Sequence, residues 1–201
     1  MRTMAAVLLV GTCAIGVSHA DAQPAAQGGG ARPALSYTAA DVHFMQGMIG
    51  HHAQAVVMAG WAPTHGARED VQILCGRIKV SQQDEIASMQ TWLRDHHEMV
   101  PDANGHMSMD MGPGGHDMLM PGMLTPEQMT QLDHATGPDF DRLFLTFMIQ
   151  HHQGALTMVH DLFESQGAAQ DETIFKFASD VGADQTAEID RMVTMLAAHS
   201  N

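Results

Sequence analysis

Apolar residues recur along this chain at intervals of three and four, a spacing that predicts helices. Asp41, Phe44, Met48, His51, His52, Ala55 and Met58 fall within an arc of roughly 120° at the α-helical step, with Ile49 just outside it. Cys75, Ile78, Gln82, Glu85, Ile86, Met89, Trp92 and Leu93 share an arc of similar width. No stretch shows the period-two alternation of a half-buried strand. Helices are predicted near 38–61, 68–97, 138–165 and 170–198. The breakers agree. Thr38 suits an N-cap and Pro63 follows the first helix. Pro138 suits the first turn of the third helix, and Gly167 its end. Thr125-Pro126-Glu127-Gln128 reads as a capping box that opens a short additional helix.

The pattern is also duplicated. Asp41, Phe44, Met48-Ile49, His51-His52, Ala55 and Met58 return as Asp141, Phe144, Met148-Ile149, His151-His152, Ala155 and Met158, at a constant offset of 100. Gln82, Glu85-Ile86, Met89 and Leu93 return as Gln185, Glu188-Ile189, Met192 and Leu196, at an offset of 103. Duplication of a helical hairpin accounts for both series. The repeated residues mark the inward faces. Two hairpins hide such faces against each other, which predicts an all-α fold: a four-helix bundle of two duplicated hairpins. About 40 residues separate the second and third long helices, enough to run the length of the bundle. That length permits an up-down-down-up order with one long crossover, the ferritin-like arrangement.

The N-terminus changes the picture of where the chain works. Arg2 precedes a short apolar run from Met4 to Val17, and Ser18-His19-Ala20 and Ala20-Asp21-Ala22 offer cleavage sites. Residues 1–22 are read as a signal peptide, 23–36 as a flexible Ala/Gly/Gln/Pro leader, and 37–198 as the bundle domain with a Met/His-rich loop at 98–125. The apolar run is too short to span a membrane, so no span is expected after cleavage. Export to the periplasm or outside the cell follows. Cleavage after Ala22 removes Cys13 and leaves Cys75 as the single cysteine, so the product holds no internal disulfide. The formal net charge of −14 argues against nucleic acid and against anionic membrane surfaces as partners.

Composition then points to chemistry. The chain carries 18 Met and 14 His but only 7 Phe, 2 Trp and 1 Tyr, so sulfur and imidazole far outweigh aromatic bulk. Many of these residues gather in the crossover: His96, His97 and Met99, then His106, Met107, Met109 and Met111, then His116, Met118, Met120 and Met123. Thioether is a soft ligand and imidazole a borderline one, and together they favour copper, Cu(I) on the sulfurs and Cu(II) on the imidazoles. The competing reading is Met as adaptable packing over the bundle. The duplicated pairs supply the second candidate set: Met48, His51, His52 and Met58, with Met148, His151, His152 and Met158. Spacings of three and four let neighbouring turns grip one ion, and the two copies can face each other. The alternative keeps the four histidines as core residues bonded to Gln82, Glu85, Gln185 or Glu188. Glu85 and Glu188 themselves read equally as carboxylates that orient ligating imidazoles or as structural groups. Cys75 reads as a small buried hydrophobe before it reads as a ligand. A di-iron carboxylate bundle needs Glu-x-x-His on two helices; here Glu85 is followed at plus three by Ser88 and Glu188 by Arg191.

The segments Asp41-x-x-Phe44-x-x-x-Met48-Ile49-x-His51-His52-x-x-Ala55, the copy from Asp141, and the Gln-x-x-Glu-Ile-x-x-Met runs resemble the domain of unknown function 305 family, over roughly 37–198. Gly50 and Gln150 precede the His pairs where many members have Pro. The resemblance implies a ferritin-like helical fold, bacterial export and, as in some members, copper binding and copper tolerance. The combined expectation is an exported protein that sequesters or transfers Cu(I)/Cu(II) and is not an enzyme. Its partners would be copper ions and another periplasmic copper protein. The alternatives are a metal-dependent oxidoreductase of the cuprous oxidase type, using the His/Met bundle site, and a metal-triggered interaction module.

Overall fold

The computed structural model describes residues 37–101 and 119–199. They form α1 (Ala39–Gly60), α2 (Glu69–Asp95), α3 (Pro126–His134), α4 (Pro138–Glu164) and α5 (Glu172–His199), and no strand occurs among the described residues. The all-α expectation is met, short extra helix included. The signal peptide and leader lie outside the described residues. No described helix is long and apolar enough to cross a membrane.

Local chemistry sets the boundaries. The Thr38 hydroxyl accepts from the Asp41 amide while the Asp41 carboxylate accepts from the Thr38 amide, a complete capping box. Thr125 and Gln128 repeat the device at α3. Pro138 occupies the first turn of α4, where its missing N–H costs nothing. The second helix ends two residues earlier than its periodicity predicts. His97 adopts a left-handed backbone (φ 58°), which stops the helical path.

Each hairpin packs on itself, α1 on α2 and α4 on α5, and the two hairpins meet through α1 and α4. The α1–α4 pair runs antiparallel. The Gly137 amide at the start of α4 bonds the His65 carbonyl just past the end of α1 (2.8 Å). At the other end the Ala169 amide, beyond α4, bonds the Asp41 carboxylate at the start of α1 (2.7 Å). Asp141 mirrors this by accepting from the Arg68 amide (3.2 Å) in the turn of the first hairpin. The duplicated aspartates, both fully buried, therefore each tie down the turn of the other hairpin.

The apolar interior is divided. One cluster joins Phe44 to Ala53 of α1 with Ile86 to Leu93 of α2, Ala155 to Leu162 of α4 and Ile174 to Val181 of α5. The other joins Ala55 to Ala62, Val71 to Ile78, Phe140 to Met148 and Met192, with Leu132 of α3. Each cluster draws on both hairpins, so neither hairpin owns a core. Between the clusters every long helix carries buried polar side chains: His51, His52 and Gln54 on α1, Gln82 on α2, His151 and His152 on α4, and Gln185 on α5.

Removal of the Asp41 carboxylate leaves the buried Ala169 amide unpaired and breaks the α1 cap. Asp41→Ala is expected to lower the unfolding free energy by about 2–4 kcal/mol, read from urea denaturation of the metal-free protein. A loss below about 0.5 kcal/mol, the scale of an ordinary surface change, would show that the aspartate is not a tie between hairpins.

Candidate metal centre

The duplicated histidines meet at mid-length. His51 and His151 face each other with ring centroids 3.8 Å apart and planes 39° apart. His52 and His152 flank them, each about 6 Å from its own neighbour in the pair. All four are wholly inaccessible to solvent. Their placement follows from the sequence: consecutive helical positions point about 100° apart, so one His of each pair meets its copy on the partner helix while the other turns to its own hairpin.

The outward nitrogens are anchored. His52 Nε2–H donates to Glu85 Oε2 of α2 (2.5 Å), and His152 Nε2–H to Glu188 Oε2 of α5 (2.6 Å). His51 Nε2–H donates to the Pro121 carbonyl (3.0 Å). With Nε2 protonated in each, Nδ1 holds a lone pair, and none of these three Nδ1 atoms has a hydrogen-bond partner. Neither ring nitrogen of His151 has one either. The sequence alternative of Gln82 and Gln185 as histidine partners does not hold: both polar atoms of the Gln82 side chain and the Gln185 carbonyl oxygen are themselves unpartnered. Glu85 and Glu188 do bond histidines, which fits a carboxylate that orients a ligating imidazole and equally a structural partner of a core histidine. Met48 and Met148, one turn before His52 and His152, are wholly buried. Among the described residues no three His, Cys, Asp or Glu side chains gather as a closed metal cage.

The Pro121 carbonyl reaches His51 because residues 120–124, the described end of the crossover, lie as a strap against α1 and α4. A Cβ on Gly154 would sit 1.9 Å from Pro121 O, so only glycine lets α4 accept the strap, and Gly122 turns there with φ 74°. Gln54 clamps it with two bonds to the Leu124 backbone (2.7 and 3.0 Å), and Gln150 donates to Gly122 O (3.2 Å). Met123 and Leu124 are buried. The last residues of the 98–125 loop are packing, because the glycine pair brings their backbone onto α4.

The model of a domain of unknown function, DUF305, matches residues 41–196. The chain belongs to the DUF305 family. A DUF305 protein of Streptomyces coelicolor, described as secreted, superposes with a TM-score of 0.68 at 27% identity, covering 80% of this chain and 94% of that one. CopM in its Cu(II)-bound form gives 0.61 at 28% identity, covering 78% and 95%. CopM in its Cu(I)-bound form gives 0.58 at 25%, covering 77% and 94%. No curated protein matches the chain.

The other candidates of this DUF305 chain scatter. Met58 packs in one apolar cluster and Met158 at the edge of the other. His96 stacks on Trp92 and is held by the Trp92 carbonyl (2.8 Å), while His97 takes the left-handed turn and Met99 is largely exposed. These three lie at the end of α2, away from the mid-length histidines. His106, Met107, Met109, Met111, His116 and Met118 lie outside the described residues. Cys75 is buried, and burial with the nearby Asp141 charge pushes its thiol up to about 12, so it stays protonated as a small hydrophobe. His43, Gln54 and the Pro121 carbonyl went unread in the sequence. The Pro-Gly turn signal at 121–122 and a glycine inside a helix at 154 were the available hints.

Burial, reinforced by the neighbouring His52, holds His51 down at about 3 against the ordinary 6.5, with the Pro121 carbonyl opposing. Burial and the other three histidines hold His151 well below its ordinary value. In the unfolded chain both take up a proton near 6.5. The stability contributed by the neutral form of His51 is complete above pH 6.5 and is lost as pH falls from there toward 3, and that of His151 is lost in the same direction. Each histidine should steepen the loss by about 1.4 kcal/mol per pH unit in metal-free protein. Urea denaturation at a series of pH values checks this, and His51→Gln should flatten the slope by about one proton.

Proposed function

We propose that this DUF305 protein is an exported copper-binding protein that sequesters Cu(I) or Cu(II), or passes it on, in copper tolerance or homeostasis. The carrying observation is the set of buried, unpartnered Nδ1 atoms on histidines whose Nε2–H is already given to an oxygen acceptor. A buried polar atom with no partner costs about 1–3 kcal/mol, and coordination of a metal relieves that cost. Met48 and Met148 stand one turn from His52 and His152 and offer sulfur donors alongside the imidazoles. That composition favours copper over zinc or iron. The Cu(I)- and Cu(II)-bound forms of CopM, a related fold at 25–28% identity, support the same metal.

We prefer binding to turnover because the four imidazoles are sealed from solvent. The N-terminal signal pattern and the secreted relative support export. Copper ions, and a second exported copper protein as donor or acceptor, are the partners this reading needs.

Anaerobic Cu(I) titration against a chromophoric chelator, repeated with Ag(I) and Zn(II), tests the metal. Cu(I) and Ag(I) are expected to bind far more tightly than Zn(II), and equal or tighter Zn(II) binding would overturn the copper reading. Changing His52 and His152 together to Ala should remove one class of bound copper. Catalytic oxygen consumption with Cu(I) would replace the binding role with an oxidase. A shortened loop lacking His106 to Met118, which spares the buried Met123, should bind fewer Cu(I) ions with helical circular dichroism unchanged.

A further inference from the structure

We propose that His43, Met120 and Met158 form a separate soft-metal site, for Cu(I) or Ag(I), in the groove where the strap meets α1 and the C-terminal half of α4. The metal identity rests on the copper reading above; the place rests on its own residues. The groove has a volume of about 150 Å³, and His43, Met120, Met158 and Asp161 all line it.

Gly47 shows where the two thioether ends lie. A Cβ on Gly47 would lie 2.5 Å from Met120 Cε and 3.6 Å from its Sδ, and 3.4 Å from Met158 Cε. Two thioether ends, one from the strap and one from α4, thus converge on the space a glycine leaves on α1. His43 stands one turn before Gly47, on the same helical face. It is exposed, Met120 is half-buried and Met158 is buried, so the groove runs from solvent inward past all three donors.

The three donors come from three fixed elements. His43 rides on α1 and Met158 on α4, while the strap carrying Met120 is held by the His51–Pro121 bond and the Gln54 clamp on Leu124. Such a site is largely organised before the ion arrives. One imidazole and two thioethers make a soft set that suits Cu(I) and Ag(I) and suits Zn(II) and Mg(II) poorly. Asp161, one turn beyond Met158, adds negative charge to the groove wall without soft ligation. The other described end of the crossover arrives nearby: Gln46, one turn from His43, donates to the Met99 carbonyl (2.8 Å). The Met99 side chain at that point is largely exposed. Unlike the mid-length histidines, this site opens to solvent, which suits an ion that is exchanged. It has no duplicate, because Leu143 holds the position that repeats His43.

Ag(I) titration of the full chain, followed by NMR of ¹³C-methyl-labelled methionine, tests the site. The Met120 and Met158 methyl signals should move together and saturate as one event, and Zn(II) should leave them in place. His43→Ala, Met120→Leu and Met158→Leu combined should bind one fewer Ag(I). Each single Met→Leu should weaken that event by roughly tenfold or more. Methyl signals that stay still at saturating Ag(I), which no variant needs to fold to reveal, would overturn the site. So would an unchanged Ag(I) count in a folded triple variant. Either result leaves the mid-length reading standing, whereas a wild-type chain that takes up neither Ag(I) nor Cu(I) overturns both.

Discussion

Four imidazoles sealed at mid-length impose the constraint around which this bundle is arranged. An imidazole in an apolar interior loses its water and needs a partner for each N–H. The duplicated helices meet that need for three of the four by placing their histidines and inward glutamines at one level. Glu85 and Glu188 then reach in from α2 and α5, and the Pro121 carbonyl from the strap. Above and below this level the contacts are apolar. A helix that slipped by one turn would bring Met48 or Met148 to the level of the histidines and set a methionine against a carboxylate, so the polar level fixes the register of all four long helices.

The ends of the bundle are fastened by the same duplication. Asp41 and Asp141 bond backbone amides in the opposite hairpin, and the two links are related by the antiparallel crossing of α1 and α4. The strap breaks that symmetry. It occupies one groove only, where Gly154 admits it, and it gives His51 a hydrogen bond that His151 lacks.

Much of this was legible in the residues. Helical periodicity, the cap at Thr38, the capping box at Thr125 and the repeat at an offset of 100 are local or self-comparing signals, and they gave the helices, the hairpins and the meeting of the His pairs. The inward glutamates were legible too, because they repeat. What escaped were contacts between residues far apart in sequence and present once. Pro121 meets Gly154 because of where a 40-residue crossover returns, and no period announces that. His43 escaped for a related reason: a search guided by duplication passes over a histidine whose counterpart is Leu143. Met58, which repeats as Met158, lies between apolar neighbours.

The crossing of α1 and α4 carries an evolutionary consequence. A lone hairpin with this motif would leave half of each apolar cluster uncovered, and it would complete the same interior only as a twofold dimer. On such an axis a residue meets its own copy, and every substitution is made twice. Joining the halves in one chain lifts that restriction. His51 and His151 are free to become chemically unlike, one with its tautomer fixed by a carbonyl and the other with both nitrogens uncommitted. Gene fusion thus converts a symmetric pair of imidazoles into an ordered pair.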